Sequence, residues 1–462
     1  MNARHLRSPS PASRQSKNNV NAKEPSALRT LTWAAYLFIA FVVGRVLNIV
    51  PALSHLPLVK VLLVYITFSL IVHWRSLPRV ITPDNPAPKW LIALVIWIVL
   101  SITYSIWISA SRDFILFQLP ILCTLVLVVC KLSLDWESLR KFFFAMFISA
   151  TILVVASLRT YGGGRLNVEV LGDTNELAHM FDGVIPIALG LGVTTASTTR
   201  RLLFYGVAAL MALAVLLTGS RGGELGLLAV AAFLVLAPAT PRRHEEKTTK
   251  LKQAPRRRMG AMGRLVIWAT AFTVIGMAVW PQLPPEPRAR LTSILHLGSD
   301  YNMTARQGRV QIWKRGMKAF AKRPIGYGIA TYPMVDWKFG GLFYTAHNSL
   351  ILLLVELGPI GLLMYLVMLW RLWRGLAKIR RDVSLLETPS EQQRQQAIFS
   401  RMSQATLVGN VVAGQFLSAT YYYGHWTNIA LAMALIAVFN REKPAPSLDS
   451  NRVLKPNAFG AL

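Results

Sequence analysis

Cysteine is nearly absent from this chain, acidic residues are scarce, and long polar stretches are few. Only two cysteines, Cys123 and Cys130, occur in 462 residues. Both sit in one apolar run, about 10 Å apart along a helix at 1.5 Å per residue, too far to bond each other. They stand in no metal-ligand spacing, so they read as buried apolar thiols. Aspartate and glutamate total 21 against 50 lysines and arginines, a formal net charge of +29. No nucleic-acid-binding module accompanies that charge, so no nucleic-acid partner is expected. A cleavable signal is also missing. The polar start runs to about Arg29 and is too long and too basic for one. Residues 1–30 are expected to form a disordered cytoplasmic tail before an uncleaved span.

What the chain has in abundance is hydrocarbon. It is 53% hydrophobic, with a mean hydropathy of +0.42. Apolar runs of about 18 residues or more read as membrane helices, and "WLIALVIWIVLSITYSIWIS" from Trp90 is a clear one. The pattern predicts an all-α polytopic membrane protein with about twelve transmembrane helices. They fall near 31–50, 57–74, 89–110, 114–130, 141–158, 176–197, 201–218, 222–240, 264–281, 346–370, 403–420 and 424–440. The segment 403–420 is the most polar, with Gln404, Asn410 and Gln415. The organisation expected is a bundle over 31–281, an external loop over 282–345, three spans over 346–440 and a cytoplasmic tail over 441–462. The basic residues gather in the N-terminal tail, in "PRRHEEKTTKLKQAPRRRMGAMGR" and in "RLWRGLAKIRRD". With twelve spans these share one side, which places both termini in the cytoplasm and suits anionic membrane lipid there.

Arginines on the other side run against that bias. They are Arg112, Arg159, Arg165, Arg221 and those of the long loop. Arg221 stands in "LLTGSRGGELGLL", where one span ends and the next begins with hardly any turn. A guanidinium held there suits either an anionic headgroup bound as substrate or simple snorkelling to lipid phosphate. In the loop, "TARQGRVQIWKRGMKAFAKRPIGYG" places Val310, Trp313, Met317 and Phe320 at helical spacing. This predicts a short amphipathic helix on the membrane or roofing the bundle. Arg306 and Arg309 lie on its first turns, suited to phosphate or to anionic lipid. In "LGDTNELAHMFDGVIPIAL", Asn175, His179 and Asp182 fall at i, i+4 and i+7 and predict a polar lining at the outer end of the sixth span. Two such ligands are too few for a metal.

The stretch "TAHNSLILLLVELGPIG" opens a span with His347 and Asn348 and carries Glu356 inside it. Nine residues at about 100° each put His347 and Glu356 on opposite faces, about 13 Å apart in rise. Glu356 therefore does not orient His347. It is expected to brace the bundle against a polar group on another span, with Arg45 a candidate. Asn348 reads as a cap, and Gly358 and Gly361 as a packing hinge.

Arginines match phosphate oxygens and stay charged. Histidine moves protons near neutral pH. Together they suit group transfer from a lipid-linked phosphate. "TGSRGG", "GRVQIW" followed by "RPIGYG", and "HNSLILLLVELGPIG" resemble, in that order and spacing, the signatures of the O-antigen ligase and polymerase superfamily, whose members include bacterial protein O-oligosaccharyltransferases. The resemblance covers roughly 165 to 370 by motif and the whole chain by span count. It implies a GT-C-like membrane glycosyltransferase of the bacterial inner membrane, acting in lipopolysaccharide or other polysaccharide biosynthesis. Its implied donor is a glycan on undecaprenyl diphosphate. Its implied reaction moves that glycan at the periplasmic face to a lipid, glycan or protein hydroxyl, with inversion and with no required metal or cofactor. The family's catalytic positions fall on Arg221, Arg309 and His347. Arg306 has no counterpart in the pattern. It is assigned to substrate binding with Asn348, Asn175, His179 and Asp182. Metal-dependent lipid-linked transferases place paired carboxylates in the first external loop, and here that loop is "PALSHLP", with no acid. The competing readings are a transporter or flippase of polysaccharide precursors and a non-catalytic scaffold. The first would call for two similar halves with broken spans, which the sequence does not have.

Overall fold

The structure is a computed structural model that describes residues 26–167, 173–237, 263, 277, 280–292 and 305–443. Its helices run in the order α1 Ser26–Val42, α2 Leu58–Val72, α3 Ala87–Leu100, α4 Ile108–Leu132, α5 Trp136–Arg159, α6 Thr174–Thr194 and α7 Thr198–Leu217. They continue with α8 Arg221–Leu236, α9 Pro285–Thr292, α10 Arg309–Lys322, α11 Tyr332–Lys338, α12 Ser349–Leu385, α13 Glu391–Ala413 and α14 Tyr423–Arg441. No strand occurs among the described residues beyond one isolated bridge between Thr82 and Asn85. Among the described residues, six helices are long and apolar enough to cross a membrane: Ala87–Tyr104 (α3 with the turn that extends it), α4, α5, α6, α7 and α12. About twelve were predicted. The predicted span 264–281 lies outside the described residues but for isolated positions.

Polar residues open several of the helices, because the first N–H groups of a helix need acceptors. Asp135 accepts from the Ser138 amide at 2.8 Å to open α5. Ser220 accepts from Gly223 to open α8, and Ser390 and Gln393 form a reciprocal capping box on α13. The core centres on α14, buried from His425 to Phe439, and on α6. Glycine lets α8 close on α6: a Cβ at Gly223 would stand 2.4 Å from that of Ala178.

Two boundaries differ from expectation for one reason. The helix α13 begins at Glu391 and ends at Ala413, well before the predicted span 403–420 is complete. The helix α12 runs on to Leu385, past the predicted end at 370. Polar side chains inside this hairpin satisfy each other, as Arg380 does by donating to Gln404 at 2.7 Å, so hydropathy does not mark its limits.

The hinge read at Gly358 is a full break in α12, with φ 67° and ψ −174°. Pro359 has no N–H to offer the Val355 carbonyl. The freed carbonyls are taken by other segments. Val355 accepts from the Tyr327 amide at 3.0 Å, Glu356 from Gly328 at 2.8 Å, and Leu357 from the Trp97 indole at 2.8 Å. The "PIGYG" loop is thus docked into the break. Glu356 completes the joint by accepting from the Ala330 amide at 3.0 Å, the Tyr332 amide at 2.9 Å and the Tyr421 hydroxyl. It does brace the bundle, but Arg45 is not its partner. Arg45 pairs with Glu176 at 3.4 Å.

The loop helix α10 forms as predicted but on a shifted face. Ile312, Gly316 and Ala319 are buried, while Met317 is exposed. The helix roofs the bundle, seated on Tyr332, whose hydroxyl donates to the Ile312 carbonyl at 3.0 Å. Arg315 pairs with Asp336 at 2.6 Å to hold α11 alongside.

Candidate active site

Arg309 is the first residue of α10, and Trp313 lies one turn further along the same face. The Trp313 indole donates to the Ala346 carbonyl at 2.8 Å. That bond ties the roof helix to the residue just before His347. The spacing in "GRVQIW" thereby sets Arg309 over the histidine. His347 itself adopts the left-handed region at φ 47°, a strained state for a residue other than glycine. It is over-determined from both sides. The His347 amide donates to Ser418 at 3.1 Å, and Thr345 shares a hydrogen bond with the same hydroxyl at 2.9 Å. On the other flank Asn348 caps α12, accepting from Leu350 and Ile351 at 3.0 Å each, and donates to the Gln415 carbonyl at 3.0 Å. Asn348 is the predicted cap, and its side chain is engaged in the fold.

His347 is half-buried, and its Nδ1 atom is enclosed without a hydrogen-bond partner. Burial pushes its pKa down from the usual imidazole value. The positive charge of Arg309 pushes the same way, and Asp173 opposes both. The ring is therefore neutral at neutral pH and able to accept a proton.

Arg309, whose charge reaches His347, also acts on Arg165, as does Arg290. Arg165 is half-buried and donates to the Thr218 carbonyl at 2.8 Å. Burial lowers its pKa, and the nearby charges of Arg290 and Arg309 add to that, while Asp173 and Glu286 oppose it. At Gly219, with φ 56°, a Cβ would stand 3.2 Å from the Arg290 side chain and 3.7 Å from Arg165 Nε. The "TGSRGG" turn is therefore the floor on which Arg165 and Arg290 lie. Arg221 follows that turn as the first residue of α8. It shares the charge field of Arg165 around Glu224. Asn175 frames the floor. Its side chain donates to Asp173 at 2.7 Å and accepts from Ser220 at 2.7 Å, fastening the start of α6 to that of α8.

The structure brings Arg221, Arg309, His347, Asn348 and Asn175 to one end of the bundle. It divides the predicted polar lining. His179 and Asp182 are 3% and 0% exposed, and His179 lines a small cavity with Arg45, Glu176 and Tyr422. The His179 ring faces His425 at 5.8 Å, and the Asp182 carboxylate presses on Gly226. Arg306 is exposed and donates to the Gly340 carbonyl at 3.2 Å, which turns it toward the loop after α11. The readings from sequence missed Arg290 and Asp173 and gave Arg165 no role. The signal for Arg165 was its place against the positive-inside bias. Arg290 carried the same signal as one of the long-loop arginines, while Asp173 had none, because only the tertiary fold brings it within reach of His347. Among the described residues no group of three or more His, Cys, Asp or Glu side chains could hold a metal ion.

Comparison with known proteins adds the family. No curated protein matches the chain significantly. A family model described as O-antigen ligase matches residues 206–366, a stretch that takes in Arg221, Arg290, Arg309 and His347. With its set of apolar helices the chain is a multi-pass membrane protein, and its residues 206–366 carry the match to the O-antigen ligase family.

Proposed function

We propose that the protein transfers a glycan from undecaprenyl diphosphate to an acceptor hydroxyl at the periplasmic face of the bacterial inner membrane. The observation that supports this reading is a partly enclosed His347 in the charge field of Arg309, with Arg165 near Arg309 and Arg290 near Arg165. His347 takes the proton of the acceptor hydroxyl. The oxygen attacks the anomeric carbon of the donor sugar, and the bond from that carbon to the diphosphate oxygen breaks. The bonding pair leaves with the diphosphate, and the added negative charge is met by Arg165, Arg221, Arg290 and Arg309. A single displacement inverts the anomeric centre. Asp173 faces the imidazolium once it has formed and steadies it. Arginine supplies the charge stabilisation that a metal would otherwise give, so the reaction requires none. The acceptor hydroxyl is carried by a lipid, a glycan or a protein. About twelve spans in a GT-C-like arrangement, with both termini cytoplasmic, put the site on the periplasmic side.

The test is transfer by the purified protein, reconstituted in vesicles with undecaprenyl-diphosphate-linked glycan. His347→Ala and Arg309→Ala are expected to abolish product while remaining inserted and folded. Transfer at the wild-type rate by both variants would sink the proposal.

A further inference from the structure

A second site of distinct chemistry lies at the opposite end of the bundle. Ser111, early in α4, donates to the Ile329 carbonyl of the docked loop. Lys131 closes the same helix about 30 Å further along at 1.5 Å per residue, roughly the thickness of a hydrocarbon core. Lys131 is 3% exposed. Its ammonium rests 3.7 Å from the centre of the Trp74 ring. None of the ion pairs among the described residues includes it. A cation shut away from water calls for an anion or strong acceptors. The ring face and the negative end of α4 are partial substitutes.

What Lys131 faces is a cavity of about 290 Å³. Arg79 stands at its rim, and no ion pair among the described residues engages that guanidinium either. The remaining wall includes Leu91, Ile92, Val126 and Leu127. Two positive charges and a set of aliphatic side chains in one lining match an amphiphile with an anionic head. Free phosphate would leave the aliphatic wall without a partner, and a neutral lipid would leave the ammonium without one. The volume lies at the low edge of small-molecule sites, roughly 300–1,000 Å³, so it takes part of a lipid rather than a whole one. We propose that this cleft binds one anionic phospholipid, its phosphate between Lys131 and Arg79 and one acyl chain along Leu91, Ile92 and Leu127.

The experiment is native mass spectrometry of the full-length protein released from vesicles of equal phosphatidylglycerol and phosphatidylcholine, with thermal melting on the same samples. The wild type is expected to retain phosphatidylglycerol selectively and to melt higher with it. Inorganic phosphate alone is expected to give no such shift. Lys131→Met should lower phosphatidylglycerol retention by about tenfold, the scale of a lost charged contact, and Lys131→Arg should restore it. Leu127→Trp fills the cleft with the lysine intact and should lower retention as well. Equal retention of the two lipids would overturn the proposal, as would undiminished retention by Lys131→Met or Leu127→Trp. An equal stabilisation by inorganic phosphate would make this a plain ion site and overturn it too. If Lys131→Met does not fold, Leu127→Trp alone decides. Glycan transfer is read separately and bears only on the His347 site.

Discussion

Trp313→Phe is the sharpest perturbation of the candidate site, because it removes one donor and keeps most of the ring. The lost bond is the 2.8 Å contact from the indole N–H to the Ala346 carbonyl. Ala346 is fully buried, so that carbonyl is left without its partner. An orphaned buried acceptor costs about 1–3 kcal/mol. The strand around His347 stays attached through the Ser418 and Gln415 contacts, so the loop does not come loose. The loss therefore appears as freedom of α10 relative to His347, which moves Arg309. Small misplacements of reacting groups are expensive in rate. The expected result is a kcat lower by about tenfold, with little change in KM and a modest fall in melting temperature. The assay is single-turnover transfer in reconstituted vesicles beside a thermal melt. A kcat within about twofold of wild type, with the melt still lowered, would refute the reasoning. The bond would then hold the fold without setting the site.

Three further outcomes follow. Because burial and Arg309 hold the His347 pKa below its ordinary value, activity should rise with pH along an acid limb below the ordinary imidazole value of about 6.5. Arg309→Gln removes one cause, so histidine NMR or residual turnover should show that limb moving up; a fixed limb would refute the electrostatic contact. The stability linked to neutral His347 is complete above its unfolded value and lost as pH falls through it, which melting curves between neutral and acid pH will register. Arg165→Gln should lower kcat/KM by about 10²–10³-fold, as Arg309→Gln should; unchanged kcat/KM would confine Arg165 to holding Thr218. Glu356→Ala strands the buried amides of Ala330 and Tyr332 and should destabilise the protein by about 2–4 kcal/mol, with Glu356→Gln milder. Equal melting of Glu356→Ala and wild type would show that the loop docks without the carboxylate.

Much of this was legible in the sequence where contacts are local. The one-turn spacing of Arg309 and Trp313, the capping role of Asn348 and the roof helix all follow from helical geometry. The separation of His347 from Glu356 follows from the same geometry. Hydropathy failed where polar groups pair across helices, as Arg380 and Gln404 do, since the pairing removes the penalty that the scale assumes. At His179 and Asp182 a polar stripe on one helix reads as a lining, and the structure packs both side chains among neighbouring helices. Asp173 was invisible because it comes from a different segment. The fold, not the spacing, brings it within reach of the histidine.

The break at Gly358 gives "ELGPIG" and "PIGYG" a common cause. A proline at 359 frees the carbonyl of Val355 inside a span, where hydrocarbon offers no donor. The chain must then supply donors from elsewhere. The amides of Tyr327 and Gly328 do so, and the approach depends on Gly326, at φ 100°, where a Cβ would stand 2.5 Å from the Glu356 carbonyl oxygen. The loop that binds the break also carries Tyr332, on which α10 is seated, and α10 carries Arg309. The costly kink is thus the anchor that fixes a loop arginine over a histidine at the mouth of the same span. A straight α12 would satisfy its own carbonyls and leave the roof nothing to hold.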